Sequence, residues 1–166
     1  MLHFKGRVAG PVIQTHEVNR TMKTQISPTN GKRHAAATLA GRALLSVIFI
    51  SAGFGKIGAY AGTQAYMEAA GVPGGLLPLV ILLELGGGLA VLFGLGSRLA
   101  AVLLAGFSVL AAVQFHADFA DPMQSILFMK NLAMAGGLLL LAANGPGAYA
   151  LERLLPGRRQ AVALGA

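Results

Sequence analysis

The 166-residue chain contains no cysteine. That removes disulfide exchange, thiolate nucleophiles, iron–sulfur ligation and the commonest zinc frameworks from consideration. Charge is scarce as well: only 11% of residues are Asp, Glu, Lys or Arg, against about 25% in soluble domains. Carboxylates are scarcest, with 6 Asp and Glu against 13 Lys and Arg. What fills the chain instead is apolar, 55% of residues, with a mean hydropathy of +0.65. A single domain of this size and composition makes its core from helices packed in lipid. The net charge of +7 does not point to nucleic acid, because the basic residues lie almost entirely outside the apolar runs. In a membrane protein that arrangement reports topology.

Four apolar runs cover residues 39–57, 76–96, 99–115 and 125–143. Each is roughly 17 to 21 residues, close to the ~20 that cross the hydrocarbon core as a helix. None shows the period-2 alternation of barrel strands. The expected fold is all-α, a polytopic four-helix bundle. Residues 1–37 have no sustained apolar period and read as a basic, disordered tail, with Met22 as an alternative start. No apolar segment with a small-residue cleavage site marks a signal peptide there. Residues 155–166 read as a second basic tail.

The connections differ in kind. Gly94-Leu95-Gly96-Ser97-Arg98 forces a tight hairpin between the second and third spans. Residues 58–75 hold Tyr60, Tyr66 and Glu68, and residues 63–70 are expected to form a short interfacial helix, since Tyr favours the headgroup level. Residues 116–122 carry His116, Asp118, Asp121 and Pro122. An even number of spans puts both termini on one side. Of the 13 Lys and Arg, all but Lys56 and Lys130 fall on that side, with Arg42 at its boundary. The bias places the N- and C-termini on the cytoplasmic side of the membrane.

Glu84 is the one charge within residues 76–96. A carboxylate there lies roughly 12 Å inside the membrane at 1.5 Å per residue, an expensive position unless it is paired or hydrated. Lys130, roughly 8 Å inside the fourth span, Lys56 at the end of the first and His116 at the end of the third share its half of the bundle. A cluster of Glu84 with Lys130, Lys56 or both is therefore expected, with Asn131 adding hydrogen bonds. Such a cluster either fixes helix register or receives a small substrate, a proton or a quinone headgroup. Arg42 and Lys56 have a simpler reading as basic chains that snorkel to the interface.

Other residues point to packing. Gly86-Gly87-Gly88 and Ala133-x-x-x-Gly137 let backbones approach closely, and no strand–turn–helix context makes the glycine triplet a phosphate loop. His116, Asp118 and Asp121 read as a polar loop and not as a metal site. A bis-His haem is excluded, since His116 is the sole histidine at a span. The scattered methionines, such as Met67 and Met134, fill packing gaps.

The segment Gly-Arg42-Ala-Leu-Leu-Ser-Val-Ile-Phe-Ile-Ser-Ala-Gly53-Phe-Gly-Lys56-Ile resembles the first-helix pattern of DoxX-type membrane proteins. Glu84 followed by Gly-Gly-Gly and Leu-Phe-Gly-Leu-Gly-Ser-Arg98-Leu is similar to the second block. His116 and Lys130-Asn131-Leu complete a likeness that spans residues 38–154. The resemblance implies an inner-membrane subunit or anchor of an oxidoreductase system, linked to quinone or to oxidative stress. In that setting a partner protein carries the redox cofactor and quinone is the expected small molecule. A proton-coupled or small-molecule transporter and a non-catalytic membrane scaffold are the competing expectations.

Overall fold

The computed structural model describes residues 28–155. The expected alternative start at Met22, most of the N-terminal tail and nearly all of the C-terminal tail lie outside the described residues. Helix α1 covers Pro28–Gly58, and residues 28–34 separate from the compact unit that begins at Ala35. The helix thus starts about ten residues before the first apolar run, because Ala and Lys continue helical propensity where hydropathy has already fallen. At 1.5 Å per residue it is about 46 Å long, more than the ~30 Å hydrocarbon core.

A short helix, α2, follows at Tyr60–Ala69, where the interfacial helix was expected. Gly71, at φ +77°, ends it, and a 3-10 turn at Gly74–Leu76 leads into α3, Leu77–Phe93. Helix α4 is Ser97–Phe115 and α5 is Pro122–Asn144. A last 3-10 turn covers Leu151–Leu154. Four of these helices are long and apolar enough to cross a membrane: Gly31–Gly58, Gly74–Phe93, Ser97–Phe115 and Pro122–Asn144. The second expected span ran three residues too far, because Gly94 takes the left-handed conformation (φ +70°) that stops α3 at Phe93. Pro122 opens α5, with the Asp121 side chain accepting from the Met123 N–H at 2.8 Å.

Small residues decide which helices touch. A side chain at Gly53 would put its Cβ 2.6 Å from Leu85 Cγ, and one at Gly88 would meet Ile50 Cγ1 at 2.9 Å. These two contacts clamp α1 against α3. Gly87 lies against Leu104 of α4, and Gly137 of α5 against Leu45 of α1. The buried core joins Phe49, Val91, Leu104 and Leu138, one from each long helix. The glycine triplet thus packs as expected through Gly87 and Gly88. The expected Ala133–Gly137 surface is only half used, since Ala133 is exposed.

Gly94 combines positive φ with a crowded site. An added Cβ would lie 2.6 Å from Ala150 Cβ and 3.2 Å from the Arg42 Nη1. Gly94→Ala is expected to cost about 2–4 kcal/mol in detergent unfolding. Gly106, with open space around it, should accept alanine without loss. Equal stability of the two variants would contradict this packing.

Candidate functional site

The close approach of α1 and α3 brings Lys56, in the last turn of α1, to Glu84. The carboxylate is only 4% exposed. Lys56 Nζ donates to Oε1 at 2.9 Å and lies 2.8 Å from Oε2. The second contact lacks hydrogen-bond geometry, so Oε2 is buried with no donor of its own among the described residues. Lys56 keeps about a quarter of its side chain exposed, and its ammonium has donors left over. A three-donor head held by one carboxylate is free to bond a further oxygen.

Beside this pair lies a cavity of about 630 Å³. Its walls are apolar side chains of the long helices, among them Phe49, Leu83, Phe107, Leu110 and Met134. Helix α2 lines it through Thr63, Tyr66 and Met67. The α2 segment is fastened to α4 at two points. Tyr66 stacks on Phe115 with ring centroids 5.4 Å apart, and Gln114 Nε2 donates to Ala70 O at 2.7 Å. In the sequence Tyr66 stood out only as a headgroup-level residue of the expected interfacial helix, and Gln114 did not stand out.

All five residues expected to cluster line this one cavity: Glu84, Lys56, Lys130, Asn131 and His116. They are not equivalent within it. The ion partner of Glu84 is Lys56 alone; Lys130 makes no ion pair among the described residues. Of the alternatives expected for Glu84, Lys130, Lys56 or both, the ion pair forms with Lys56, because the glycine-mediated contact draws α1 against Glu84. That pairing corrects the reading of Lys56 as a snorkelling chain. Asn131 returns its Nδ2 to Leu127 O of its own helix at 3.0 Å. His116 Nδ1 sits 2.7 Å from Gln124 Oε1, which ties the ring to the first turn of α5. Asp118 and Asp121 accept from the Ala120 and Met123 N–H groups, which are loop and capping roles.

At the opposite end of the bundle Arg42 is 2% exposed, and does not snorkel. Its Nε donates to Val91 O at 3.0 Å and its Nη2 to Leu92 O at 2.5 Å, both in the last turn of α3. Its Nη1 donates to Pro146 O at 2.6 Å and, more loosely, to Tyr149 O at 3.5 Å. Glu152, itself buried, lies within electrostatic reach. A guanidinium can serve three chain segments at once because its donors point in fixed, divergent directions. Its charge also suits the negative end of the α3 dipole.

A helical bundle with four membrane-length spans, a buried ion pair and an apolar cavity beside it defines a polytopic membrane protein with an intramembrane site. The chain belongs to the DoxX family, whose profile matches residues 37–117. It is 57% identical over 124 residues to the inner membrane protein YqjF of Escherichia coli strain K12, covering 75% of this chain and 95% of that protein. It is 34% identical over 131 residues to the inner membrane protein YphA of the same strain, covering 74% of this chain and 93% of that one. No solved structure matches. The family profile takes in Arg42, Lys56, Glu84 and His116 but stops before Lys130 and Asn131.

Proposed function

We propose that this DoxX-family inner-membrane protein is the membrane subunit or anchor of an oxidoreductase system, quinone-linked or tied to oxidative stress. Its cavity receives the headgroup of a lipid-soluble quinone. Both termini face the cytoplasm, the side that the Lys and Arg distribution favours. The cavity then lies toward the outer surface, and a partner protein supplies the redox cofactor.

The observation that carries this reading is a cavity of about 630 Å³, largely apolar on its walls with a few polar side chains among them. Sites for small ligands have this form: 300–1,000 Å³, predominantly apolar, with a few convergent polar groups. The residues suit a quinone carbonyl. Lys56 has donors not used by Glu84, and the apolar walls of α3 and α4 suit an isoprenoid chain. When bound, a quinone supplies two-electron redox chemistry. The chain's own part is to hold the ring, exclude bulk water and keep a carboxylate close to the reacting oxygens.

The test is binding of a neutral decyl-benzoquinone to the purified protein in nanodiscs. Wild type is expected to bind it saturably. Lys56→Met combined with Glu84→Gln, which keeps shape and removes both charges, should weaken binding about tenfold, the size of one lost hydrogen bond to a charged group. No binding by wild type, or unchanged binding by the folded double variant, would reject the role.

A further inference from the structure

We infer that the cavity is built for an amphiphile whose polar end is a single oxyanion, and that Lys130 receives it. The inference rests on the reading that the cavity takes a ligand, and it narrows the chemistry of that ligand.

The charges around the cavity do not balance. Lys56 and Glu84 neutralise one another at 2.8–2.9 Å. Lys130 also lines the cavity but makes no ion pair among the described residues. The remaining carboxylates at this end are turned to other partners. Glu68 accepts from Gln64, Asp118 from the Ala120 N–H and Asp121 from the Met123 N–H, and none of the three lines the cavity. The wall therefore carries, at Lys130, a positive charge with no carboxylate paired to it among the described residues.

That charge, on an exposed side chain, also stands well inside the span. Lys130 lies eight residues into α5, which starts at Pro122, or about 12 Å along its axis. An ammonium at such a depth is costly unless a counter-charge or water attends it. Four residues further along the same helix, Met134 belongs to the apolar wall, so a cation and a greasy surface stand one helical turn apart. A ligand with an oxyanion head and an apolar body meets both. A neutral ligand would fill the cavity and leave Lys130 uncompensated.

Two sources can supply this chemistry: a free fatty acid, or an acidic ring hydroxyl on a quinone-like carrier. Competition binding in nanodiscs would compare dodecanoic acid with its methyl ester, and an alkylated hydroxynaphthoquinone with its methyl ether. The ionised member of one or both pairs is expected to bind about tenfold tighter than its neutral partner, and which pair shows the preference names the source. Lys130→Met should erase the preference without changing affinity for the neutral members, and Lys130→Arg should keep it. Should Lys130→Met fail to fold, the ratio measured in wild type decides alone. Equal affinity within both pairs in wild type, or a preference that survives Lys130→Met, overturns the inference. Neutral decyl-benzoquinone in the same assay separates the two readings. Its binding without any acid preference removes the oxyanion site alone, and acid binding without quinone binding removes the quinone role alone.

Discussion

Arg42→Ala is expected to destabilise the bundle more than any other single substitution, by about 4 kcal/mol or more. Three good hydrogen bonds from a charged donor are lost, each worth about 1.5–3 kcal/mol when its partner is left buried. The carbonyls concerned belong to residues 91, 92 and 146, far from residue 42 in sequence. The substitution therefore frees the end of α3 and the segment after α5 together. It also removes a cation within electrostatic reach of buried Glu152. Arg42→Lys should recover less than half of the loss, since one ammonium cannot reach carbonyls on three segments. Unfolding by SDS titration and size-exclusion profiles in mild detergent would measure both. A lysine variant as stable as wild type would show that the charge alone matters and the fork geometry does not.

The same residue shows where reading a sequence stops. Hydropathy over a 20-residue window reports whether a segment can lie in lipid, and four spans follow from that alone. Axial depth is almost as accessible, because residue count converts to height at a fixed rise. Depth put Glu84, Lys56, Lys130 and His116 in one half of the bundle, and the structure places them around one cavity. Azimuth is different. Which way a side chain points depends on how neighbouring helices rotate to fit, and here that is set by Gly53 against Leu85 and Gly88 against Ile50. Hence Lys56 pairs with Glu84 and Lys130 does not. Arg42 was hidden for a related reason. A basic residue at a span end normally snorkels, and only the tertiary fold brings the end of α3 and the turn after α5 onto its guanidinium. The boundary of α1 was hidden by the opposite fault. Its first turns are helical without being apolar, so a hydropathy reading starts the helix too late.

Lys56→Met is expected to be the second most damaging change, and its rescue distinguishes two roles for the pair. It strands a carboxylate that is 4% exposed, at a cost of about 3–5 kcal/mol for a buried ion left without its partner. Glu84→Gln should be milder, roughly 1–2 kcal/mol, because Lys56 stands in the last turn of α1 and its partly exposed chain can turn to the interface. Combining the two should return stability to within about 1 kcal/mol of wild type, since a neutral pair of similar shape avoids the desolvation of both ions. The coupling between the sites is then large and favourable, as expected for groups in direct contact. Thermal unfolding in detergent gives this cycle, and ligand binding by the double variant gives its meaning. A double variant that folds like wild type and binds quinone equally well would make Lys56–Glu84 a register-fixing pair within a scaffold. One that folds like wild type but has lost binding would show that these charges persist in lipid for the ligand. The cavity beside them, with spare donors on Lys56 and a carboxylate oxygen that has no donor of its own among the described residues, favours the second result. A pair retained for packing alone would be better served by two apolar side chains.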